Sequence, residues 1–389
     1  MKPYRVFLLG AALALPALCA LAAAAPSQPV VVGYVFPRGA VLQPGQIRNK
    51  SLNRINYAFA NIQDGRLVSG YPSDEQNFAF LHALRREDPS LKILVSVGGW
   101  LWSGGFSDMA LTPASRQVFL QSVLDFLGRN HLDGLDIDWE YPGSVGAGNR
   151  FRPEDKQNYT LLLKELRSAF NQETSRTHKR LYLTIAAGAS DEFLGNTEMA
   201  EVAKYVDTVN LMTYDFTEAG VDALTGHNAP LYANPQDVRH TSSDAAVKAF
   251  EHAGVPAAKI LLGVPFYARM WGDVGPANHG LFQPGKALPK DSPWPALRPE
   301  ELLTRGFVRY WDSDASAPYL YNEQEHVFVS YDDPQSLTIK GHYVRAQRLG
   351  GIMFWEYFND PSGKLLDAVN LSLHVVDRPL RREQGPSGP

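Results

Sequence analysis

Eight short, largely apolar runs rich in β-forming residues recur along this 389-residue chain, and most are separated by segments with helical periodicity. Most runs are bounded by Gly, Pro, Asn or Asp, which is typical of parallel strands buried on both faces. Eight strands alternating with helices favour the α/β class, and within it a closed (β/α)8 TIM barrel over an open sheet. We predict strands at Val30–Val35, Arg54–Ala60, Ile93–Val97, Gly134–Trp139, Leu181–Ala187, Thr208–Thr213, Ile260–Pro265 and Gly351–Trp355.

Amphipathic segments between these runs predict the outer helices of the barrel. Apolar residues at helical spacing form one stripe in each segment, as expected for helices that pack on a sheet. The predicted helices are Ser115–Arg129, Glu154–Phe170, Asp244–Ala253 and Ser336–Arg348.

The interval after the seventh strand is too long for one loop and one helix, which need about 20 residues. Its first part is rich in Gly and Pro, and its later part contains the strand-like pieces Gly306–Tyr310 and His326–Tyr331. We therefore predict a small α+β insertion over residues 271–335, between strand 7 and helix 7 of a catalytic barrel that spans 26–375. Residues 376–389 are expected to be a polar tail.

The first 25 residues have the pattern of a secretory signal peptide. Lys2 and Arg5 precede an apolar run from Val6 to Ala24, and small residues follow. Cleavage is expected within Ala20–Pro26, which favours a secreted protein, extracellular or periplasmic, over a membrane-anchored one. No later segment is apolar enough to span a bilayer. The only cysteine, Cys19, would leave with the signal, so the mature chain would have no disulfide.

Composition narrows the classes of partner. The formal net charge of −4 favours neither nucleic acid nor an anionic membrane, and it suits a neutral or cationic polymer better. We find no phosphate-binding loop and no histidine spacing typical of a metal site, so no cofactor or metal is expected. A monomer is the expected state.

The most informative segment is the fourth predicted strand and the residues after it. Alternate residues of a strand share a face, so Asp136, Asp138 and Glu140 point one way and apolar neighbours the other. In a barrel the acidic face would climb the interior towards the active-site mouth. Three buried carboxylates about 7 Å apart repel one another, which should keep a proton in the row. A protonated carboxylic acid near neutral pH is what a glycosidic leaving group requires.

Two other interpretations of this row stay open at this point. It could be a salt-bridged row with Arg269 as the counter-ion, or Asp136 and Asp138 could bind Mg²⁺. The third carboxylate in phase, Glu140, favours catalysis.

Five segments, in order along the chain, share a pattern with one enzyme family. They are Ser96–Trp100 (SVGGW), Asp133–Glu140 (DGLDIDWE), Met212–Asp215 (MTYD), Gly263–Arg269 (GVPFYAR) and Gly351–Tyr357 (GIMFWEY). In these segments the chain resembles the family 18 glycoside hydrolases, the chitinases and their relatives. The insertion resembles the α+β insert of some chitinases at Tyr310–Asp312 and Ser330–Asp333, and Ala268 departs from a frequent Gly.

The resemblance implies a retaining, substrate-assisted mechanism in which the sugar's 2-acetamido group forms an oxazolinium intermediate. Glu140 would protonate the glycosidic oxygen, and Asp138 would orient the acetamido group. Asp136, with Ser96 near it, would hold Asp138 and share its proton, while Tyr214 would hydrogen-bond the acetamido oxygen. The candidates for substrate binding are Trp355 as the floor beneath the sugar, Asp215 on the distorted sugar, and Met212, Tyr267, Arg269, Trp100, Tyr34, Phe59 and Ser96 along the cleft.

The sequence thus predicts a secreted chitinase that hydrolyses β-1,4-linked N-acetylglucosamine polymers. A non-catalytic chitin-binding lectin is the first alternative, although the presence of Glu140 disfavours it. An endo-β-N-acetylglucosaminidase acting on glycan cores is the second, and a metal-dependent enzyme is the third. Trp102 and Trp271 lie in predicted loops, where they would be able to stack on more distant sugars.

Overall fold

The eight predicted runs form one closed sheet in a computed structural model that describes residues 28–374. Each barrel strand pairs in parallel with its neighbours, and the first strand closes the barrel by pairing with both the second and the last. This confirms the predicted (β/α)8 class. The strands are β1 Val30–Val35, β2 Arg54–Gln63, β3 Arg66–Val68, β4 Lys92–Gly98, β5 Gly134–Asp138, β6 Tyr182–Gly188, β7 Thr208–Met212, β8 Ile260–Pro265, β9 Arg269–Gly272, β10 Lys286–Ala287, β11 Val308–Asp312, β12 Ala317–Asn322, β13 Val327–Ser330 and β14 Gly351–Trp355.

Helices cover the outside of the barrel. The predicted helix at 115–129 begins at Pro113, because Thr112 caps its first turn by accepting a hydrogen bond from the Ser115 N–H. The next helix continues past the predicted end at Phe170 to Thr177. The prediction stopped too early because the last two turns are polar and the apolar stripe ends at Phe170. The helices are α1 Asp74–Glu87, α2 Phe106–Ala110, α3 Pro113–Arg129, α4 Asp155–Thr177, α5 Asp191–Gly195, α6 Met199–Tyr205, α7 Ser243–His252, α8 Pro299–Leu302, α9 Pro334–Ala346 and α10 Lys364–His374.

The insertion between β8 and α9 is built on a five-stranded antiparallel sheet in the order β10-β9-β13-β12-β11. The sequence signals found β11 and β13 but missed β9, β10 and β12. Trp271 of β9 is fully buried against Phe328 in the core of this sheet, so the suggestion that it stacks on sugars is wrong. A ring that is fully buried among the side chains of this sheet has no face left for a sugar.

Some predictions fall outside the described residues. These are the signal peptide over 1–25 with its cleavage site and Cys19, and the polar tail over 376–389. Within residues 28–374, no helix combines the length and hydrophobicity needed to cross a membrane.

Candidate active site

The two faces of β5 separate as the alternation predicts. Leu135, Ile137 and Trp139 are buried in the core between the barrel and its helices, and the Trp139 ring stacks on Phe106 at 5.0 Å. The three carboxylates therefore lie on the opposite face, inside the barrel. The apolar face fixes this orientation, because turning the strand over would expose three large side chains to the barrel interior.

Asp136 forms the lowest level of the row and is completely buried. Its carboxylate accepts four hydrogen bonds, two on each oxygen, from donors on four other strands. The donors are Tyr34 Oη at 2.8 Å and Ser96 Oγ at 2.8 Å on Oδ2, and Thr184 Oγ1 at 2.5 Å and Asn210 Nδ2 at 3.0 Å on Oδ1. Four donors occupy the lone-pair sites of the Asp136 carboxylate, which leaves little capacity for a metal ion.

Asp138 and Glu140 form a pair of buried carboxyl groups above Asp136. Their carboxyl groups hydrogen-bond each other, and both are at least nine-tenths buried. Burial and the negative charges of Glu140 and Asp136 raise the pKa of Asp138 well above its usual range. Burial raises the pKa of Glu140 to about 7, although hydrogen bonds from Tyr141 and Asp138 oppose the increase. The Oδ1 atom of Asp138 is buried and has no hydrogen-bond partner in the protein.

The end of β4 fixes the backbone beneath Glu140. Gly98 has a left-handed φ of 104°, and a Cβ there would lie 2.2 Å from the carbonyl oxygen of Asp138. The buried hydroxyl of Ser103 donates to that carbonyl at 3.1 Å and accepts from the Glu140 N–H at 2.9 Å. The SVGG segment therefore acts on the backbone of the row, as its glycines suggest. Ser103 was missed by the sequence analysis, which treated the loop after Trp100 only as a place for aromatic residues.

Aromatic rings form a floor at the mouth of the barrel. Trp355, at the end of β14, is half-buried and stacks on Phe59 with ring centroids 5.4 Å apart. The rings of Tyr34 and Phe36 pack against the same indole, with ring centroids 5.8 Å and 5.7 Å from it. The stack holds Trp355 in place with part of its ring exposed, which is the arrangement that a sugar ring needs for stacking.

A second wall is formed by the ends of β7 and β8. Tyr214 packs edge-on against Tyr267, with Met212 half-buried nearby in the same inner cluster. The Tyr267 hydroxyl donates to Asp215 Oδ1 at 2.7 Å, and Arg269 Nε donates to the same oxygen at 2.8 Å. Burial and the charge of Asp138 raise the pKa of Tyr214 well above its usual range, so its hydroxyl stays protonated and able to donate.

Several sequence predictions need correction in position. Tyr34 and Ser96 are buried below the cleft, where they donate to Asp136 and do not line the substrate path. Phe59 supports Trp355 from behind. Arg269 forms ion pairs with Asp215 and Glu218, so it is not the counter-ion of the carboxylate row.

Other candidates lie at the rim. Trp100 is 51% exposed in the loop after β4 and approaches Tyr141 edge-on. Trp102 is half-buried against Tyr71 and provides less free ring surface. A separate cavity of about 820 Å³ is lined by Tyr267 and Arg269 and by residues of the insertion, and none of the carboxylates of the row lines it.

Three residues of the inner polar layer were not found from the sequence. Thr184 and Asn210 donate to Asp136, and Arg54 donates to Asn210 Oδ1 at 2.8 Å. Each lies on a barrel strand at an inward position, so a polar residue in an otherwise apolar run was the available signal.

A TIM barrel with a hydrogen-bonded pair of buried carboxyl groups beside an aromatic floor is the arrangement expected of a glycoside hydrolase. A family model, glycosyl hydrolases family 18, matches residues 30–360, and the chain belongs to this family.

The chain is similar to several characterised relatives. It is 41% identical over 330 residues to Chitinase A1 of Niallia circulans, covering 80% of this chain and 47% of that protein. The structure of a family 18 N-acetylglucosaminidase from Paenibacillus barengoltzii matches with a TM-score of 0.79 and 43% identity, over 88% of this chain and 99% of that one. Chitinase ChiW from Paenibacillus sp. strain FPU-7 matches with a TM-score of 0.83 and 37% identity, over 90% and 43% respectively. The chain thus spans about half the length of Chitinase A1 and less than half of ChiW.

Proposed function

We propose that this protein hydrolyses β-1,4-linked N-acetylglucosamine polymers such as chitin, with retention of configuration at the anomeric carbon. The observation that carries the proposal is the hydrogen-bonded pair of buried carboxyl groups, Asp138 and Glu140, which lies above the carboxylate of Asp136. Two of the three similar proteins described above are named chitinases, and the third is named an N-acetylglucosaminidase. All three names refer to enzymes of amino sugars.

In the proposed reaction, Glu140 donates its proton to the glycosidic oxygen as the bond from that oxygen to C1 breaks. A pKa of about 7 keeps a substantial fraction of this carboxyl group protonated near neutral pH. The carbonyl oxygen of the sugar's own 2-acetamido group attacks C1 and gives an oxazolinium ion. Water then adds to C1 and gives its proton to the Glu140 carboxylate, which restores the acid and retains the configuration.

Asp138 is the group suited to guide the acetamido nucleophile. The Asp138 carboxylate can accept the acetamido N–H, and its negative charge stabilises the positive oxazolinium ring. The protonated hydroxyl of Tyr214 can donate to the acetamido oxygen from the neighbouring wall.

An exposed aromatic ring beyond the carboxylate pair favours a polymer over a small glycoside. Trp355 would support the sugar at the site of cleavage, while the exposed ring of Trp100 at the rim can stack on a further sugar. The similarity to two proteins that are named chitinases favours a chitin-like chain over the glycan core of an endo-β-N-acetylglucosaminidase. A lectin would have no need for the buried proton-sharing pair, whose desolvation is costly.

We further propose that the protein is exported by its N-terminal segment and acts as a monomer. The apolar run after Lys2 and Arg5, followed by small residues, supports export.

The product profile from chitohexaose, recorded with the anomeric form of each product, tests the proposal. We expect shorter N-acetylated oligomers whose new reducing ends appear first as the β-anomer. Products that appear first as the α-anomer would contradict the mechanism. Absence of cleavage together with measurable binding would support the lectin instead, and loss of activity with a chelator would support a metal enzyme.

A further inference from the structure

A buried arginine lies inside the barrel beneath the carboxylate row. Arg54 opens β2, and its side chain enters the barrel interior with only 6% of the residue exposed. Its Nη1 donates to Thr208 Oγ1 at 3.0 Å and its Nη2 to Asn210 Oδ1 at 2.8 Å, both on β7. A guanidinium group remains protonated in proteins, so this side chain places a full positive charge in the barrel core.

Asn210 connects this cation to the anion above it. Its Oδ1 faces Arg54, while its Nδ2 donates to Asp136 Oδ1 and to the Tyr34 hydroxyl, each at 3.0 Å. The orientation of the amide is fixed, because arginine can only donate and the Asp136 carboxylate can only accept. The amide dipole therefore points its positive end at the carboxylate and its negative end at the guanidinium.

The charge of Arg54 has no direct carboxylate partner in the described part of the chain, where its side-chain hydrogen bonds go to a hydroxyl and an amide. A buried charge without compensation is costly. Asp136 is the negative group that compensates it, and burial lowers the pKa of Arg54 while the charge of Asp136 opposes that effect.

We propose that Arg54 is a positioning residue that, through Asn210, keeps Asp136 ionised and so confines the catalytic proton to Asp138 and Glu140. This inference rests on the proposed function of that pair. Without the cation, the lowest carboxyl group of the row would compete for the proton. The catalytic proton would then reside on Glu140 for a smaller fraction of the time, although no contact of Glu140 had changed.

Other titratable groups also face Arg54 and Asp136. Arg54 also faces Tyr34, Tyr182 and Asp207, of which Asp207 is already paired with two arginines outside the barrel. The carboxyl pair Asp138 and Glu140 lies above Asp136, and Tyr159 faces Asp136 at longer range. The direct hydrogen-bond donors of Asp136 are all neutral, namely Tyr34, Ser96, Thr184 and Asn210. Arg54 is the one cation among the groups named here that face the row.

The test compares Arg54→Met with Arg54→Lys by the pH dependence of kcat/KM on chitohexaose. Removing the cation makes each negative charge in the row less favourable, so the row should hold its protons to higher pH. We expect both limbs of the profile to move upward by about one pH unit in Arg54→Met and to stay near the wild type in Arg54→Lys. A uniform loss of rate at every pH, with unmoved limbs, would show that Arg54 only ties β2 to β7.

The matched control is Arg85→Met, which removes an arginine paired with Asp133 at 2.6 Å just before the same strand but outside the barrel. This variant should be less stable to unfolding, but the acidic and basic limbs of its kcat/KM profile should stay at the wild-type pH values. If Arg54→Met does not fold, Asn210→Asp preserves the shape of the link and places a carboxylate between Arg54 and Asp136. It should produce the same upward shift, and a wild-type profile for Asn210→Asp would overturn the proposal.

A second readout does not need turnover. The attraction between Arg54 and the row exists only where the row is ionised, so the difference in Tm between wild type and Arg54→Met should increase from pH 4 to pH 7. A difference that is constant with pH would overturn the proposal. If the wild-type protein cleaves no chito-oligosaccharide, the proposed function fails, and this measurement still decides the role of Arg54.

Discussion

The carboxyl groups of Asp138 and Glu140 are hydrogen-bonded to each other above the buried carboxylate of Asp136. In the proposed function, Glu140 provides the proton for the leaving group and the Asp138 carboxylate accepts the substrate's amide N–H. Both roles depend on the position of Asp136, whose carboxylate accepts four hydrogen bonds from other strands. A change in one member of the row is expected to affect the others.

Replacing the proposed acid should separate binding from turnover. In Glu140→Gln the carboxamide fills the same space but cannot give up a proton, so kcat on chitohexaose should fall by at least about 100-fold. Calorimetry should find nearly unchanged affinity for the oligomer. The control Glu173→Gln, in a surface pair with Arg176 on α4, should behave as the wild type. Cleavage by Glu140→Gln at a rate close to wild type would refute the assignment.

The basic limb of the pH profile should report the acid. Glu140 must be protonated to act, so kcat/KM of the wild type should fall as the pH rises through about 7. Tyr141 donates a hydrogen bond that lowers the pKa of Glu140. Tyr141→Phe should therefore move this limb to higher pH, whereas Tyr232→Phe, at an exposed ring on the surface, should not move it. A limb that moves to lower pH in Tyr141→Phe would contradict the account.

The internal nucleophile predicts a sharp dependence on acetylation. Fully deacetylated chitosan has no acetamido carbonyl to attack C1, so it should resist cleavage even where it binds. Partially acetylated chitosan of equal length is the control and should be cut after acetylated units. Sequencing the new chain ends provides the measurement. Rapid hydrolysis of the fully deacetylated polymer would exclude the substrate-assisted route.

The glycine before the row should not tolerate a side chain. A Cβ at Gly98 would meet the Asp138 carbonyl oxygen at 2.2 Å in a left-handed backbone. Gly98→Ala should reduce the free energy of unfolding by about 3 kcal/mol and lower activity. Gly128→Ala, in α3 with no atom within 4 Å of the new Cβ, should be neutral or slightly stabilising. Equal stability of the two variants in urea would contradict the prediction.

A buried ion pair fixes α9 to the end of the insertion. Lys340 Nζ lies 2.6 Å from Asp332 Oδ2, and both side chains are 1% exposed. Lys340→Met leaves the buried carboxylate without its partner and should cost about 3 to 5 kcal/mol in chemical unfolding. Lys248→Met, at an exposed pair with Asp244, is the matched control and should have no measurable effect. A small loss in Lys340→Met would mean that Asp332 takes up a proton at little cost.

Much of the fold could be predicted because strand periodicity is local. Alternation along β5 determined which residues face the barrel interior and which pack against Phe106 and the helices. The two-residue spacing of the carboxylates then placed Glu140 above Asp138 and Asp136. Strands whose pattern was not clear, such as β12 with Pro318, were missed because their burial comes from the insertion sheet and not from their own sequence.

The sequence by itself determined the barrel, the acidic row and its face, because each follows from the order of residues along one strand. The tertiary structure decided which groups hold the row. Tyr34 and Asp136 are 102 residues apart, and Arg54 and Asn210 are 156 apart, yet each pair is in hydrogen-bond contact inside the barrel. Closure of the sheet sets such contacts through the stagger between strands, and no local pattern encodes that stagger. The burial of Trp271 and the level of Arg54 beneath Asp136 were decided in the same way.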